Sequence, residues 1–152
     1  MLKIIKGDLI KLALAGEFDV IVHGCNCFNT MGAGIAKTIR QTFPEAHEAD
    51  CKTVKGSKDK LGTYTSAVSK NVTIINAYTQ YGYWGKNNPD LFEYEAFSKI
   101  LKKLKTDFPG RRFGFPLIGC GLAGGDEDRI TGMLESLLVE TEDVTSVLFQ
   151  PY

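Results

Sequence analysis

The sequence lacks any apolar run of the roughly 18 residues that a membrane-spanning helix needs. It also lacks, near its start, the apolar segment followed by small residues that marks a secretory signal peptide. We therefore expect a cytoplasmic protein with no membrane partner. Its 18 lysines and arginines equal its 18 aspartates and glutamates in number. Because no net charge draws the whole chain to nucleic acid, no general nucleic-acid binding is expected.

Cysteines are few and unevenly spaced, at Cys25, Cys27, Cys51 and Cys120. A chain of this length does not need disulfides to stabilise its core, so we interpret all four as reduced thiols. His23 would share one face of an extended strand with Cys25 and Cys27, which suggests a zinc site. The spacing is not that of paired C-x-x-C ligands, and we predict neither a metal nor another cofactor.

The length of 152 residues and the hydrophobic share of 43% predict one folded domain spanning residues 1–152. Glycine is the one residue type in excess, with 16 copies. Two clusters stand out, at residues 32–34 and 119–125. Glycine clusters favour tight turns and close approach of the backbone to a ligand, so the chemistry is expected there.

Predicted strands and helices alternate along the chain. The strands are expected at residues 2–6, 20–22, 63–68, 72–78, 112–117 and 145–149. The helices are expected from residue 34 to the residue before Pro44, over 45–54, from an Asp90 cap to 108, and around 130–138. Such alternation predicts an α/β fold, in which a mainly parallel or mixed sheet lies between helical layers.

In an open α/β sheet, ligands bind where the carboxyl ends of strands lead into helices. Residues 119–124 (GCGLAG) follow a predicted strand and match G-x-G-x-x-G, so their N–H groups could surround a diphosphate. A dinucleotide-binding Rossmann unit also needs an acidic residue after the next strand. That strand ends in the letters FQPY, which disfavours the Rossmann interpretation. A purely structural turn remains the alternative.

The most informative stretch is residues 23–36 (HGCNCFNTMGAGIA), which follows the apolar strand at 20–22. Asn26 offers an amide for hydroxyl recognition, and the glycines beside a helix start offer N–H groups for phosphate. With residues 119–124, it predicts recognition of a diphosphate from two sides. The P-loop pattern of triphosphate-hydrolysing sites is absent from both loops.

These residues, with Gly7-Asp8-Leu9 and residues 116–125, resemble the macro domain, a three-layer α/β/α module with a central mixed sheet that binds ADP-ribose. The His-x-Cys-Asn-Cys and Gly-Cys-Gly-Leu motifs are most similar to ADP-ribose 1″-phosphate phosphatases and to enzymes that remove ADP-ribose from glutamate or DNA. The resemblance implies that this chain binds ADP-ribose and hydrolyses ADP-ribose 1″-phosphate to ADP-ribose and phosphate. Two alternatives stay open: a non-catalytic reader of ADP-ribose, and a hydrolase acting on ADP-ribosylated protein or DNA.

The resemblance also implies roles for single residues. Asp8 would accept a hydrogen bond from the adenine amino group, supported by the backbone of Leu9, and Asn26 would contact the distal ribose. The diphosphate and distal ribose would lie between Gly32, Ala33, Gly34 and Ile35 on one side and Gly119, Cys120, Gly121, Leu122, Ala123 and Gly124 on the other. From the sequence alone, Asp8 is more simply a solvated turn residue.

Three positions depart from the family's catalytic patterns. Ala36 stands where some members carry a helix aspartate, and Gln80 aligns with the lysine of the more similar branch. Ala123 stands where some of those sites carry an acidic residue. A glutamine cannot form a covalent adduct with the ribose carbon.

His23, Asn26 and Asp126 remain as catalytic candidates. A histidine with a near-neutral pKa and a carboxylate at a helix start can move protons. Each has a structural alternative: Asp126 is well placed to cap the helix that follows it, and His23 ends a buried strand.

Overall fold

A computed structural model describes residues 2–82, 92–118, 126–138 and 143–149, and it places six strands in one sheet. The strands are β1 (Lys3–Gly7), β2 (Val20–Cys25), β3 (Tyr64–Ser69), β4 (Val72–Tyr78), β5 (Arg112–Phe115) and β6 (Asp143–Phe149). Their order is β1-β6-β5-β2-β4-β3. β3 is antiparallel to β4, and every other neighbouring pair is parallel. The predicted mixed sheet is confirmed.

Helices cover both faces of the sheet. They are α1 (Leu9–Leu14), α2 (Gly34–Thr42), α3 (Pro44–Cys51), α4 (Tyr94–Asp107) and α5 (Glu127–Leu137), with a short 3-10 helix at Lys58–Lys60. Apolar residues of α1, α2 and α3 share one core cluster, and those of α4 and α5 share the other. This confirms the three-layer α/β/α fold. Within the described part of the chain, no helix is long and apolar enough to cross a membrane.

Strand β2 shows why the sequence folds this way. Val20, Ile21 and Val22 form a run without a polar face, and each is at most 1% exposed. Val20 and Val22 pack in the α4/α5 core, whereas Ile21 packs in the α1/α2/α3 core. A strand covered on both faces buries every side chain, so the apolar run predicts a central strand of a parallel sheet.

The boundaries of α4 differ from the prediction. Phe97, Ile100 and Leu104 are fully buried on one face, as their spacing predicts. The helix begins at Tyr94, with Glu93 in the N-cap position. The predicted capping residue, Asp90, lies outside the described residues.

Helix α1 was not predicted. It has 6 residues, and Leu9, Ile10 and Ala13 bury its inner face. A helix this short shows less than two full turns of periodicity, so the pattern that identifies longer helices has little to act on. The residues after β1 therefore form a helix rather than a turn.

Candidate functional site

The five parallel strands end at one edge of the sheet, which we call the carboxyl edge. Asp8 follows β1, Asn26 follows β2, Thr79 follows β4 and Pro116 follows β5, while Phe149 ends β6. The fold thus brings the predicted ligand residues Asp8 and Asn26 to the same edge. Helices α1, α2, α4 and α5 follow these strands in the chain, so their N-termini and the positive ends of their dipoles lie there too.

Asp8 is the N-cap of α1. Its Oδ1 accepts hydrogen bonds from Ile10 N at 3.0 Å and Lys11 N at 3.2 Å. The side chain is half-buried, and both bonds use the same oxygen. The next residue, Leu9, is buried and fixes the start of α1 against the core. Asp8 is therefore a helix cap rather than the solvated turn residue of the simplest sequence interpretation.

Asp126 caps α5 in the same manner. Its Oδ1 accepts from Arg129 N at 3.0 Å, and its own N–H donates to the hydroxyl of Tyr94 at 2.9 Å. The structural role that the sequence suggested is confirmed. Capping engages one oxygen of an exposed carboxylate, so this geometry supplies no separate evidence for the predicted catalytic role.

Helix α2 differs from these two helices because its N-terminus has no side-chain cap. Ala33 is the N-cap residue and has no side-chain oxygen to offer. Gly32, Ala33 and Gly34 are all exposed, and Gly34 adopts φ +57°. Ile35, which follows, is half-buried and packs against the α1/α2/α3 core. First-turn N–H groups with no cap and no covering side chains are well suited to an anion.

The β2–α2 loop (residues 26–33) is held partly by its own side chains. Asn26 Oδ1 accepts from Phe28 N at 2.8 Å, and Asn26 Nδ2 donates to Thr30 Oγ1 at 2.7 Å. Arg40, on α2, donates to the carbonyl of Thr30 at 3.3 Å. The sequence analysis missed this cation, because Arg40 lies outside the glycine motif. Asn26 is half-buried at the carboxyl edge, and its contact with the distal ribose stays a prediction.

His23 lies inside the core rather than on the carboxyl edge. It is 0% exposed, and its Nε2 lies 2.7 Å from Asn76 Oδ1. The Asn76 amide nitrogen donates to Ala46 O and Thr65 Oγ1, so its oxygen is the acceptor and His23 Nε2 carries the proton. Burial lowers the pKa of His23 to about 4. This burial favours the structural alternative over the predicted catalytic role.

The network continues beyond Asn76. Thr65 Oγ1 lies 3.0 Å from the Tyr78 hydroxyl, which donates to Asp50 Oδ1 at 2.7 Å. Burial raises the pKa of Tyr78 well above its usual value, so this hydroxyl stays protonated. The chain of bonds ties β2, β3 and β4 to α3 beneath the β2–α2 loop. It accounts for the burial of His23, Asn76 and Asp50.

The cysteines near His23 behave as core residues. Cys25 Sγ lies 3.8 Å from His23 Nδ1, and burial raises the pKa of Cys25 well above its usual value. Burial also raises the pKa of Cys27. Both thiols are free, as is the exposed Cys51. Among the residues that the structure describes, no three histidine, cysteine, aspartate or glutamate side chains are grouped to hold a metal.

Gln80 lies beside the β2–α2 loop, directly after Thr79. Its side-chain Nε2 donates to Gly82 O at 3.0 Å, and its backbone carbonyl oxygen lies 3.5 Å from Cys27 Sγ. The residue that the resemblance aligns with a catalytic lysine is thus next to the predicted ribose position. A side-chain amide there is not a nucleophile toward a ribose carbon.

Phe149 is an exposed aromatic residue at the carboxyl edge, and the sequence analysis did not single it out. It is 72% exposed at the end of β6, and its register partner is Gly7, next to Asp8. An exposed aromatic ring beside a hydrogen-bonding carboxylate offers a surface on which a base can stack. The available signal was a phenylalanine at the end of the last predicted strand, which we had assigned to the sheet alone.

The second glycine loop, residues 119–124, contains the remaining predicted ligand residues. Gly119, Cys120, Gly121, Leu122, Ala123 and Gly124 lie outside the described residues, so their predicted contacts stay predictions. Before this loop, Ile118 follows β5. After it, the next described residue is Asp126, which caps α5.

Two relatives in sequence are similar to this chain over different lengths. An uncharacterized 17.5 kDa protein of Enterobacteria phage T4, from the tk-vs intergenic region, is 35% identical over 154 residues, 95% of this chain and 94% of that protein. An ADP-ribose 1″-phosphate phosphatase of Candida albicans is 34% identical over 78 residues. That second match spans 51% of this chain and only 50% of the phosphatase.

Solved structures show the same fold. The macrodomain of Thermus aquaticus DarG aligns with a TM-score of 0.72 at 19% identity, over 99% of both chains. A Trypanosoma brucei macrodomain in complex with ADP-ribose aligns with a TM-score of 0.65 at 14% identity, over 97% of this chain and 63% of that one. The family model of the macro domain matches residues 22–134, from the β2 strand through most of α5. This chain therefore belongs to the macro domain family.

Proposed function

We propose that the protein binds ADP-ribose along the carboxyl edge, with the diphosphate at the N-terminus of α2. The observation that carries this proposal is the absence of a side-chain cap on α2, together with the exposure of Gly32, Ala33 and Gly34. Asp8 and Asp126 place a carboxylate on the N-termini of α1 and α5, whereas α2 and α4 have no side-chain cap. Of these two, α2 begins in the exposed glycine cluster, so its first N–H groups are open to a ligand. Backbone donors at the positive end of a helix favour a phosphate.

The spacing of Asp8 and Asn26 suits a long ligand. Their strands, β1 and β2, are separated by β6 and β5. Three inter-strand intervals place the strand ends about 14 Å apart. A ligand with a base at one end and a second ribose at the other can contact both residues, whereas a mononucleotide would contact one.

The adenine is expected at Asp8. Both cap bonds use Oδ1, which leaves the carboxylate's other oxygen for the adenine amino group. Phe149 supplies an exposed ring on the neighbouring strand for stacking. The α2 N-terminus and Asn26 then receive the diphosphate and the distal ribose.

We expect Asp8→Asn to weaken ADP-ribose binding by about 1.5 kcal/mol, or roughly tenfold, because a charged acceptor for the adenine amino group is lost. Asparagine caps helices as well as aspartate does, so the free energy of unfolding should stay nearly unchanged. Calorimetric titration and thermal unfolding measure the two quantities.

Asp8→Ala is the matched comparison, because it removes the cap as well. We expect it to lose about the same affinity and, in addition, about 1 kcal/mol of stability. If Asp8→Asn binds ADP-ribose with wild-type affinity, the proposed contact between Asp8 and the adenine amino group is wrong.

Hydrolysis of ADP-ribose 1″-phosphate is a second candidate function, supported by the similarity to the Candida albicans phosphatase. In that reaction, water adds to the phosphorus and the bond from phosphorus to the ribose oxygen breaks, which gives ADP-ribose and inorganic phosphate. The burial of His23 argues against it as the proton carrier. Asn26 and the N–H groups of α2 would then act by positioning and by stabilising charge.

Phosphate release separates these candidates. The purified protein is incubated with ADP-ribose 1″-phosphate, and with ADP-ribosylated protein and DNA in parallel. Release of phosphate or ADP-ribose above a Gly34→Glu control supports an enzyme of the corresponding class. Tight ADP-ribose binding without release from any of them assigns the protein as a reader.

A further inference from the structure

Lys60 is a buried cation directly behind the β2–α2 loop. It is 7% exposed, and its ammonium donates to Cys27 O at 3.0 Å and to Asn29 Oδ1 at 2.6 Å. Both acceptors belong to the loop that carries Asn26. No motif in the sequence analysis includes this lysine.

Other contacts also hold the loop: Cys27 N donates to Tyr81 O at 2.9 Å, and Gly56 N donates to Cys27 O at 2.7 Å. Asn29 adopts φ 59° and Met31 adopts φ 43°. Residues other than glycine have such backbone conformations only rarely. The Asn29 side chain also bonds Thr53, donating to its carbonyl at 3.2 Å and accepting from its hydroxyl at 3.1 Å. A strained backbone persists only where its surroundings over-determine it, and Lys60 supplies part of that constraint.

The charge of Lys60 is compensated locally. Its Nζ lies 4.7 Å from the centre of the Tyr78 ring, and the hydroxyl of the same tyrosine donates to the buried Asp50. A buried lysine is costly unless acceptors satisfy its three donors. Here two loop oxygens and the face of an aromatic ring do so, which ties the loop to the α3 side of the core.

We propose that Lys60 is a positioning residue of the ligand site, which holds the β2–α2 loop in the shape that receives the distal ribose and diphosphate. This inference rests on the proposed binding of ADP-ribose. Among the described residues of the site, Lys60 bonds Cys27 and Asn29 at the loop end. The Asp8 end lies across β5 and β6 and is built on α1, so it does not depend on Lys60.

The test compares Lys60→Met with Lys55→Met, which removes one lysine charge from an exposed position in the same segment. Amide hydrogen exchange of residues 26–30 is measured without ligand, and affinities for ADP-ribose and AMP are measured by calorimetry. We expect Lys60→Met to speed loop exchange at least tenfold and to weaken ADP-ribose binding about tenfold. Its affinity for AMP should be unchanged, and Lys55→Met should match the wild type throughout.

Asn29→Gly is the second variant, in case Lys60→Met does not fold. Glycine accepts the positive φ of position 29, so this change adds no backbone strain. It removes one of the two acceptors of Lys60, together with the two bonds between Asn29 and Thr53. It should give the same faster loop exchange and the same selective loss of ADP-ribose affinity.

The readouts separate this proposal from the proposed function. Unchanged loop exchange in the folded variants, or equal losses for ADP-ribose and AMP, would overturn the role of Lys60. Absence of ADP-ribose binding in the wild type would overturn the proposed function instead, and loop exchange would still decide whether Lys60 holds the loop.

Discussion

Gly34→Glu is expected to lower ADP-ribose affinity by at least 100-fold, or about 3 kcal/mol. The substitution puts a carboxylate at the first residue of α2, where the diphosphate is proposed to meet the helix N–H groups. A Cβ at this position meets nothing within 4 Å, so the larger side chain has space in the fold. The loss follows from repulsion between anions and from occupation of the phosphate position.

Gly34→Gln is the control that isolates the charge. Both variants must adopt φ +57° at position 34, which costs about 1 to 2 kcal/mol for a residue with a Cβ. They should therefore unfold at similar temperatures. We expect the glutamine variant to retain much more affinity than the glutamate variant. Full binding by a folded Gly34→Glu would show that the glycines serve the turn alone.

Stability is expected to fall by roughly 3 kcal/mol between pH 6.5 and pH 4 because of His23. Burial lowers the pKa of the imidazole to about 4, from an ordinary value of about 6.5 in the unfolded chain. Between these values the unfolded chain takes up a proton that the folded chain excludes. The stabilising contribution is thus complete above pH 6.5 and is lost at about 1.4 kcal/mol per pH unit as the pH falls to 4.

His23→Gln should remove this slope, because an amide can donate to Asn76 but does not titrate. The chain has one other histidine, His47, and the His47→Gln control should keep the slope. Urea unfolding at half-unit pH steps measures the difference between the two variants. A wild-type slope in His23→Gln would contradict the assignment of the pH dependence to His23.

Asp19, Glu45 and Asp107 have lowered pKa values, so their contributions to stability are lost at more acidic pH.

The sequence predicted the layers of the fold because long apolar patterns dominate them. The apolar run at 20–22 is typical of a strand covered on both faces. The spacing of Phe97, Ile100 and Leu104 is typical of a helix with one buried face. Short elements and boundaries depend on contacts that are distant in sequence. Helix α1 is stable because Leu9 and Ala13 pack against the sheet, and no local pattern identifies a six-residue helix.

For the candidate site, the sequence likewise predicted where residues lie in the fold but not their contacts with residues distant in sequence. Asp8 and Asn26 reach one edge because they follow parallel strands, which the alternation of elements implies. The contact of Lys60 with Asn29 joins residues 31 positions apart, and the proximity of Phe149 to Asp8 depends on the pairing of the first strand with the last. Neither contact has a signal in a single sequence.

The roles of His23 show where motif reasoning stops. The resemblance identified a histidine at the end of a buried strand beside a glycine loop, which suits either catalysis or packing. In the structure His23 lies within β2 (Val20–Cys25) and bonds Asn76, 53 residues further along the chain, in the core. A partner that distant has no signal in the sequence, so the sequence left both roles open.

Calorimetric titration of the wild type with ADP-ribose, beside NAD, tests the central claim most directly. Binding along the carboxyl edge predicts saturable, one-to-one binding of ADP-ribose that is tighter than that of NAD. NAD carries a nicotinamide on the distal ribose, so it must place an additional ring beside the ribose position proposed at Asn26. Tighter binding of NAD, or no binding of ADP-ribose at millimolar concentration, would contradict the account.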